Sequence, residues 1–228
     1  MRPEATCICK HTNPIRTNTR FIIWRHAKGL KKEKNGRGHM TKLQLESAEI
    51  IVGGDFTNDN RVNALLNKED STSFLLYPGM DNFNLSVKKA AEVKSFIGEQ
   101  ANIFILDGTW PCARKMLKLS KNLQELPRMS FDNKIQSKFI IKQQPESLCL
   151  STIESVQTVI NLLNDAGVEK CDTKNFLLPF EKMIEHQIEC ILDPNNKNHH
   201  NPKADTVLSP KNLYKKDSER NIIFERNR

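Results

Sequence analysis

Four short apolar runs limit what this chain can fold into: "RFIIW" at 20–24, "EIIVG" at 49–53, "SFLLY" at 73–77 and "NIFIL" at 102–106. Each has the length of a strand, and none shows the every-other-residue alternation of a sheet with one wet face. A strand reads this way when both of its faces are covered, as in parallel sheets. Helical patterns fall between the runs at 60–67 and 86–97, and a further helix is predicted at about 111–119, where Pro111 suits a first turn. "RMSF" (128–131) and "SKFII" (137–141) are additional strand candidates. Strands alternating with helices predict an α/β domain on a mainly parallel sheet.

The sharpest helix signal is "STIESVQTVINLLND" at 151–165. Ser151 followed three residues later by Glu154 is a capping box. Ile153, Val156, Ile160 and Leu163 then recur at helical spacing, a stripe expected to face the core. A last helix at about 179–192 groups Phe180, Met183, Ile184, Ile188 and Ile191 on one side. After Asp193 the chain becomes rich in Asn, Lys, Pro and His, so one domain is expected at 1–193 and a polar, disordered tail at 194–228.

Charge narrows the class of partner. The chain has 35 Lys and Arg against 27 Asp and Glu, a net +8, which favours polyanions. Half of the surplus lies in 194–228, with eight basic residues against four acidic ones. Four of the six cysteines, Cys112, Cys149, Cys171 and Cys190, are scattered singly and read as small buried hydrophobes of a reducing compartment. The opening "MRPEATCICK" has no apolar signal segment, and no run reaches the roughly 18 apolar residues of a membrane span. A cytoplasmic protein without membrane association is the expectation.

Chemistry concentrates in "LDGTWPCARKM" at 106–116. Ligands of open parallel sheets bind beyond the carboxyl ends of strands, where Asp107 is expected. Gly108 permits a sharp turn and close backbone approach. The helix after it brings free N–H groups and a positive dipole end, and Arg114, Lys115 and Lys118 add cations. A carboxylate, an aromatic plane and a basic helix suit a charged ligand and a nucleic acid. The same residue types also serve as an acidic turn, a rim tryptophan and a solvated helix face. "LLYPG" at 75–79 repeats the layout of a strand followed by a tight turn.

"LDGTWPCARKM" resembles the motif that names the DTW-domain family, Asp-x-Thr/Ser-Trp followed by a basic helix. "LLYPG" before it, and "LPRMSF" (126–131) and "SKFIIKQQPESLCLSTIES" (137–155) after it, are similar to further family stretches in the same order. Arg2-Pro3 with Cys7 and Cys9, and a strand ending near His26, resemble the family's opening, so the likeness runs over about 2–165. The resemblance implies a SPOUT-like parallel α/β sheet with a knotted C-terminal half. It also implies a tRNA-uridine aminocarboxypropyltransferase, which moves the 3-amino-3-carboxypropyl group of S-adenosylmethionine to N3 of a uridine and releases 5′-methylthioadenosine. Matched position by position, it implies catalytic roles for Asp107 and Trp110. It places Leu76, Pro78, Gly79, Leu106, Gly108, Thr109, Ser151, Thr152 and Glu154 around the donor. Arg114, Lys115, Arg128, Lys138 and Lys142 are the implied tRNA contacts.

The implied reaction asks for particular groups. The N3–H of uracil is a weak acid, while the donor's sulfonium leaves as a neutral thioether, so orientation and a proton acceptor are needed and an acid is not. Asp107, the only acid of the motif, either takes or polarises that proton or anchors the donor's ammonium or sulfonium charge. N3 lies on the Watson–Crick edge, so the base must be unpaired or flipped out, and Trp110 is placed to stack on uracil or on adenine. A SPOUT-type RNA methyltransferase and a non-catalytic RNA-binding relative are the competing readings. Two departures from the family stand out. The upstream cysteine pair of a four-thiolate zinc site is absent from this sequence, so no metal is assigned. In 24–40, His26 and "NGR" (35–37) persist, but Gly29 stands where an acid is expected.

Overall fold

The computed structural model describes residues 7–27, 36–79, 81–139 and 149–193. Its strands are β1 (Arg20–His26), β2 (Glu49–Gly53), β3 (Thr72–Leu76), β4 (Asn82–Asn84), β5 (Ala101–Asp107) and β6 (Arg128–Ser130). They form one six-stranded sheet in the order β2-β1-β5-β3-β6-β4, and every neighbouring pair is parallel. The helices are α1 (Arg37–Leu43), α2 (Asn60–Leu66), α3 (Ala90–Ile97), α4 (Trp110–Leu119), α5 (Lys121–Gln124), α6 (Thr152–Asp165) and α7 (Leu178–Leu192).

Successive residues of a strand point to opposite faces, and here each face has its own apolar layer. Phe21, Phe74, Ile103 and Ile105 pack with Val93 and Ile97 of α3, the stripe of α6 and Phe180 of α7. Ile22, Trp24, Leu75 and Phe104 pack on the other side with Val62 of α2 and Met116 and Leu117 of α4. Trp24 is fully buried, its ring 5.1 Å from Phe56 and 4.5 Å from Phe104. Aromatic contacts of this kind contribute about 0.5–1.5 kcal/mol each beyond burial. Two covered faces are why the runs that became β1, β3 and β5 lack alternation, whereas β2, at the sheet edge, buries Ile51 and exposes Val52.

Ile153, Val156, Ile160 and Leu163 of α6 are all fully buried, as their spacing requires. Phe180, Met183 and Ile184 of α7 are buried too. Elsewhere the expectation needs correction. The strand expected at 137–141 is not formed over its described part, 137–139, because a helix-capping carboxylate holds that segment, as detailed below. The helix expected from 86 begins only at Ala90, after the short strand β4. Residues 194–228, the expected tail, and 140–148, part of the C-terminal half for which a knot is implied, lie outside the described residues. Among the described residues no helix is long and apolar enough to cross a membrane.

Candidate nucleotide site at the carboxyl edge of the sheet

Asp107 ends β5, the strand between β1 and β3. It follows Ile103 and Ile105 in the pleat, so its side chain points to the face covered by α1 and α6 and not out over the strand end. It is 6% exposed. One carboxylate oxygen accepts a 2.7 Å bond from the Thr152 hydroxyl at the start of α6. The other lies 3.9 Å from Nε of Arg25, its register partner across β1 and β5 and itself 6% exposed. Sequence reasoning set Asp107 against the ligand; pleat parity turns it inward, onto a cation and a hydroxyl.

Two glycines make room for this pair. A Cβ at Gly38 would lie 2.6 Å from Oδ2 of Asp107, and one at Gly36 would lie 2.3 Å from a guanidinium nitrogen of Arg25. Both distances are impossible, so the Gly-x-Gly before and within α1 lets that helix close over the ion pair.

Ser151 and Glu154 are also taken up by the fold. Both are 5% exposed. The Glu154 carboxylate accepts from the Ser151 N–H at 2.8 Å, the Ser151 hydroxyl at 2.6 Å, the Ser137 hydroxyl at 2.7 Å and the Lys138 N–H at 2.7 Å. It therefore caps α6 and fastens 137–138 to it. The Lys138 ammonium, expected on RNA, pairs with Glu181 of α7. Lys142 lies outside the described residues.

On the opposite face the edge is aromatic. Tyr77, just past β3, and Trp110, the first residue of α4, meet edge to face with ring centroids 6.2 Å apart. The Arg128 guanidinium of β6 stands 5.8 Å from the Tyr77 ring centre. A Cβ at Gly79 would come within 2.9 Å of an Arg128 nitrogen, so glycine there lets the side chain pass. Burial pushes the Tyr77 phenol up, and the charges of Arg114 and Arg128 pull against it, so it stays a protonated donor near neutral pH. Gly108 and Thr109 are exposed, and Thr109 leaves the start of α4 without a side-chain cap. Leu76 packs on the first apolar layer and Leu106 on the second, each partly buried, and Pro78 is half-buried. Arg114, Lys115 and Lys118 are exposed along α4.

A model of the DTW domain matches residues 1–188. This chain belongs to the DTW domain family. Curated relatives named tRNA-uridine aminocarboxypropyltransferase 2 are 24% identical in Mus musculus and 29% identical in Drosophila melanogaster, each over 82% of this chain. The chain spans 62% of the mouse protein and 73% of the fly protein. No solved structure matches it.

In this DTW domain the eponymous motif is a junction between two faces: its aspartate belongs to one side of the sheet and its tryptophan to the other. Sequence reasoning missed Arg25, Gly36, Gly38 and Tyr77 as site residues. A signal existed for each: a lone arginine closing an apolar strand, a Gly-x-Gly spacing, and a tyrosine in the "LLYPG" turn.

Proposed function

We propose that this DTW protein transfers the 3-amino-3-carboxypropyl group of S-adenosylmethionine to N3 of a uridine in tRNA and releases 5′-methylthioadenosine, in the cytoplasm. One observation carries the reading. The described parts of the family stretches lie along β6 and about the carboxyl ends of β3 and β5, in a chain whose curated relatives are named tRNA-uridine aminocarboxypropyltransferase 2.

In the reaction, N3 of uracil attacks the carbon next to sulfur in the aminocarboxypropyl arm. The N3–C bond forms, the C–S bond breaks with its electron pair going to sulfur, and the N3 proton passes to solvent. The neutral thioether requires no acid. What remains for the chain is orientation and charge. The donor fits the edge: exposed backbone at Gly79 and Gly108 permits close approach, and the uncapped start of α4 with Arg114 suits its carboxylate. Cations at the same edge favour the deprotonated form of uracil. Asp107 acts here as a positioning residue, which fixes the turn by holding β1, β5, α1 and α6 together. Transfer of the arm in preference to the methyl follows from which carbon faces N3 in line.

Incubation with unmodified tRNA and S-adenosylmethionine, followed by mass analysis of nucleosides and of the spent donor, tests the reading. An aminocarboxypropyl-uridine with methylthioadenosine is the expected result. A methylated nucleoside with S-adenosylhomocysteine would establish the methyltransferase reading instead.

A further inference from the structure

We infer that Tyr77 is a positioning residue that sets Arg128 and Trp110 as the two walls of a nucleobase subsite, with the Arg128 guanidinium plane as the stacking surface. The inference rests on the nucleotide-binding side of the proposed function and names residues for it.

Three observations meet at this point. Tyr77 follows β3 and Trp110 opens α4 just past the adjacent strand β5, and at a 62° interplanar angle Trp110 meets the Tyr77 ring edge to face. Arg128 arrives from the other neighbour of β3 and lies over the Tyr77 ring, an arrangement in which cation and ring quadrupole attract. Gly79 is shaped around that guanidinium, because any Cβ there would displace it. An arginine whose stem passes a glycine and whose head lies over an aromatic ring has two supports and is not merely a solvated charge. Its outward plane accepts a flat heterocycle, and its charge suits a phosphate or a deprotonated ring nitrogen. Tyr77 itself packs on the second apolar layer, so it supports the wall from behind.

The planar ligand has two sources, uracil of the acceptor or adenine of the donor, and the test separates them. A uridine octanucleotide and an abasic octanucleotide of equal length are titrated against the full chain by fluorescence anisotropy. Stacking on one wall predicts that the wild type prefers the uridine strand by about tenfold. Tyr77→Leu and Arg128→Lys should bring this preference close to unity while binding of the abasic strand is kept. Tyr77→Phe, which retains the ring, should restore it. Unfolding midpoints are recorded for each variant, and Arg128→Lys carries the test if Tyr77→Leu does not fold.

If these variants instead weaken binding of 5′-methylthioadenosine by a similar factor and leave the uridine preference intact, the subsite receives adenine. The inference is overturned if folded Tyr77→Leu and Arg128→Lys bind the uridine strand and methylthioadenosine as the wild type does. Failure of the wild type to transfer the aminocarboxypropyl group, with the Tyr77-dependent preference intact, would sink the proposed reaction and leave the subsite standing.

Discussion

Arg25 and Asp107 are each 6% exposed, and an ion pair so far from water has to recover the cost of its own desolvation. At 3.9 Å the direct attraction is modest, and the Thr152 hydroxyl on the carboxylate supplies part of what is missing. Asp107→Asn removes the charge that faces a buried cation, so it should lower stability by about 3 kcal/mol, with the long separation placing it at the weak end of such losses. Urea denaturation reads this directly. Transfer and tRNA binding should fall together with the melting temperature. Complete loss of transfer at unchanged stability would return Asp107 to the role of general base. The position of this residue at a strand end was legible in "NIFILD", but its orientation was not. Parity tells which residues share a face; it does not tell that the face of Ile103 and Ile105 is closed over by α1 and α6.

Helix starts organise the next level. The four bonds that Glu154 accepts join the cap of α6 to the 137–138 segment, beside the anchors that Phe139 and the Lys138–Glu181 pair provide. Glu154→Gln replaces one accepting oxygen by a donor facing other donors, which should cost about 2 kcal/mol and speed proteolysis at 137–139. Protection equal to that of the wild type would show that other contacts hold the segment. At α2, Asp59 accepts from the N–H groups of Arg61 and Val62 and from the Arg61 side chain. The Arg61 side-chain bond, chiefly, holds its carboxyl below the ordinary range despite partial burial. A carboxyl lowered on folding stabilises fully above its unfolded value of about 4 and loses that contribution as pH falls through the lowered one. The stability gap between wild type and Asp59→Asn should therefore be present at pH 6 and shrink toward about pH 3, as measured by denaturant titration at each pH. Elements with long apolar patterns, β1, β3, β5 and α6, were readable in the sequence. The helix α1, "RGHMTKL", was not, because it is one short segment opening on glycines chosen for clearance over an ion pair. The 137–139 segment looked like a strand because Phe139 is buried, yet its Lys138 N–H goes to a carboxylate and not to a ladder.

At the scale of the whole molecule the question is where the net charge of +8 acts. Half of it resides in 194–228, outside the described residues, and a diffuse surplus would bind any polyanion weakly wherever it touches. The described part offers one concentrated alternative: Arg114, Lys115 and Lys118, exposed on a single helix that begins at the aromatic edge of the sheet. On the proposed reaction, a tRNA bound there would bring its backbone along α4 and its flipped base to the corner formed by Tyr77, Trp110 and Arg128. Each phosphate neutralised releases counterions and contributes about −0.7 to −0.9 to the slope of log affinity against log salt. The triple variant Arg114→Ala, Lys115→Ala, Lys118→Ala should thus flatten that slope for tRNA by about 2, and most of its affinity loss should vanish at high salt. These side chains have no buried contact, so the melting temperature should be unchanged. A slope equal to that of the wild type would mean that the polyanion lies against another surface, and the α4 face would then be only solvated.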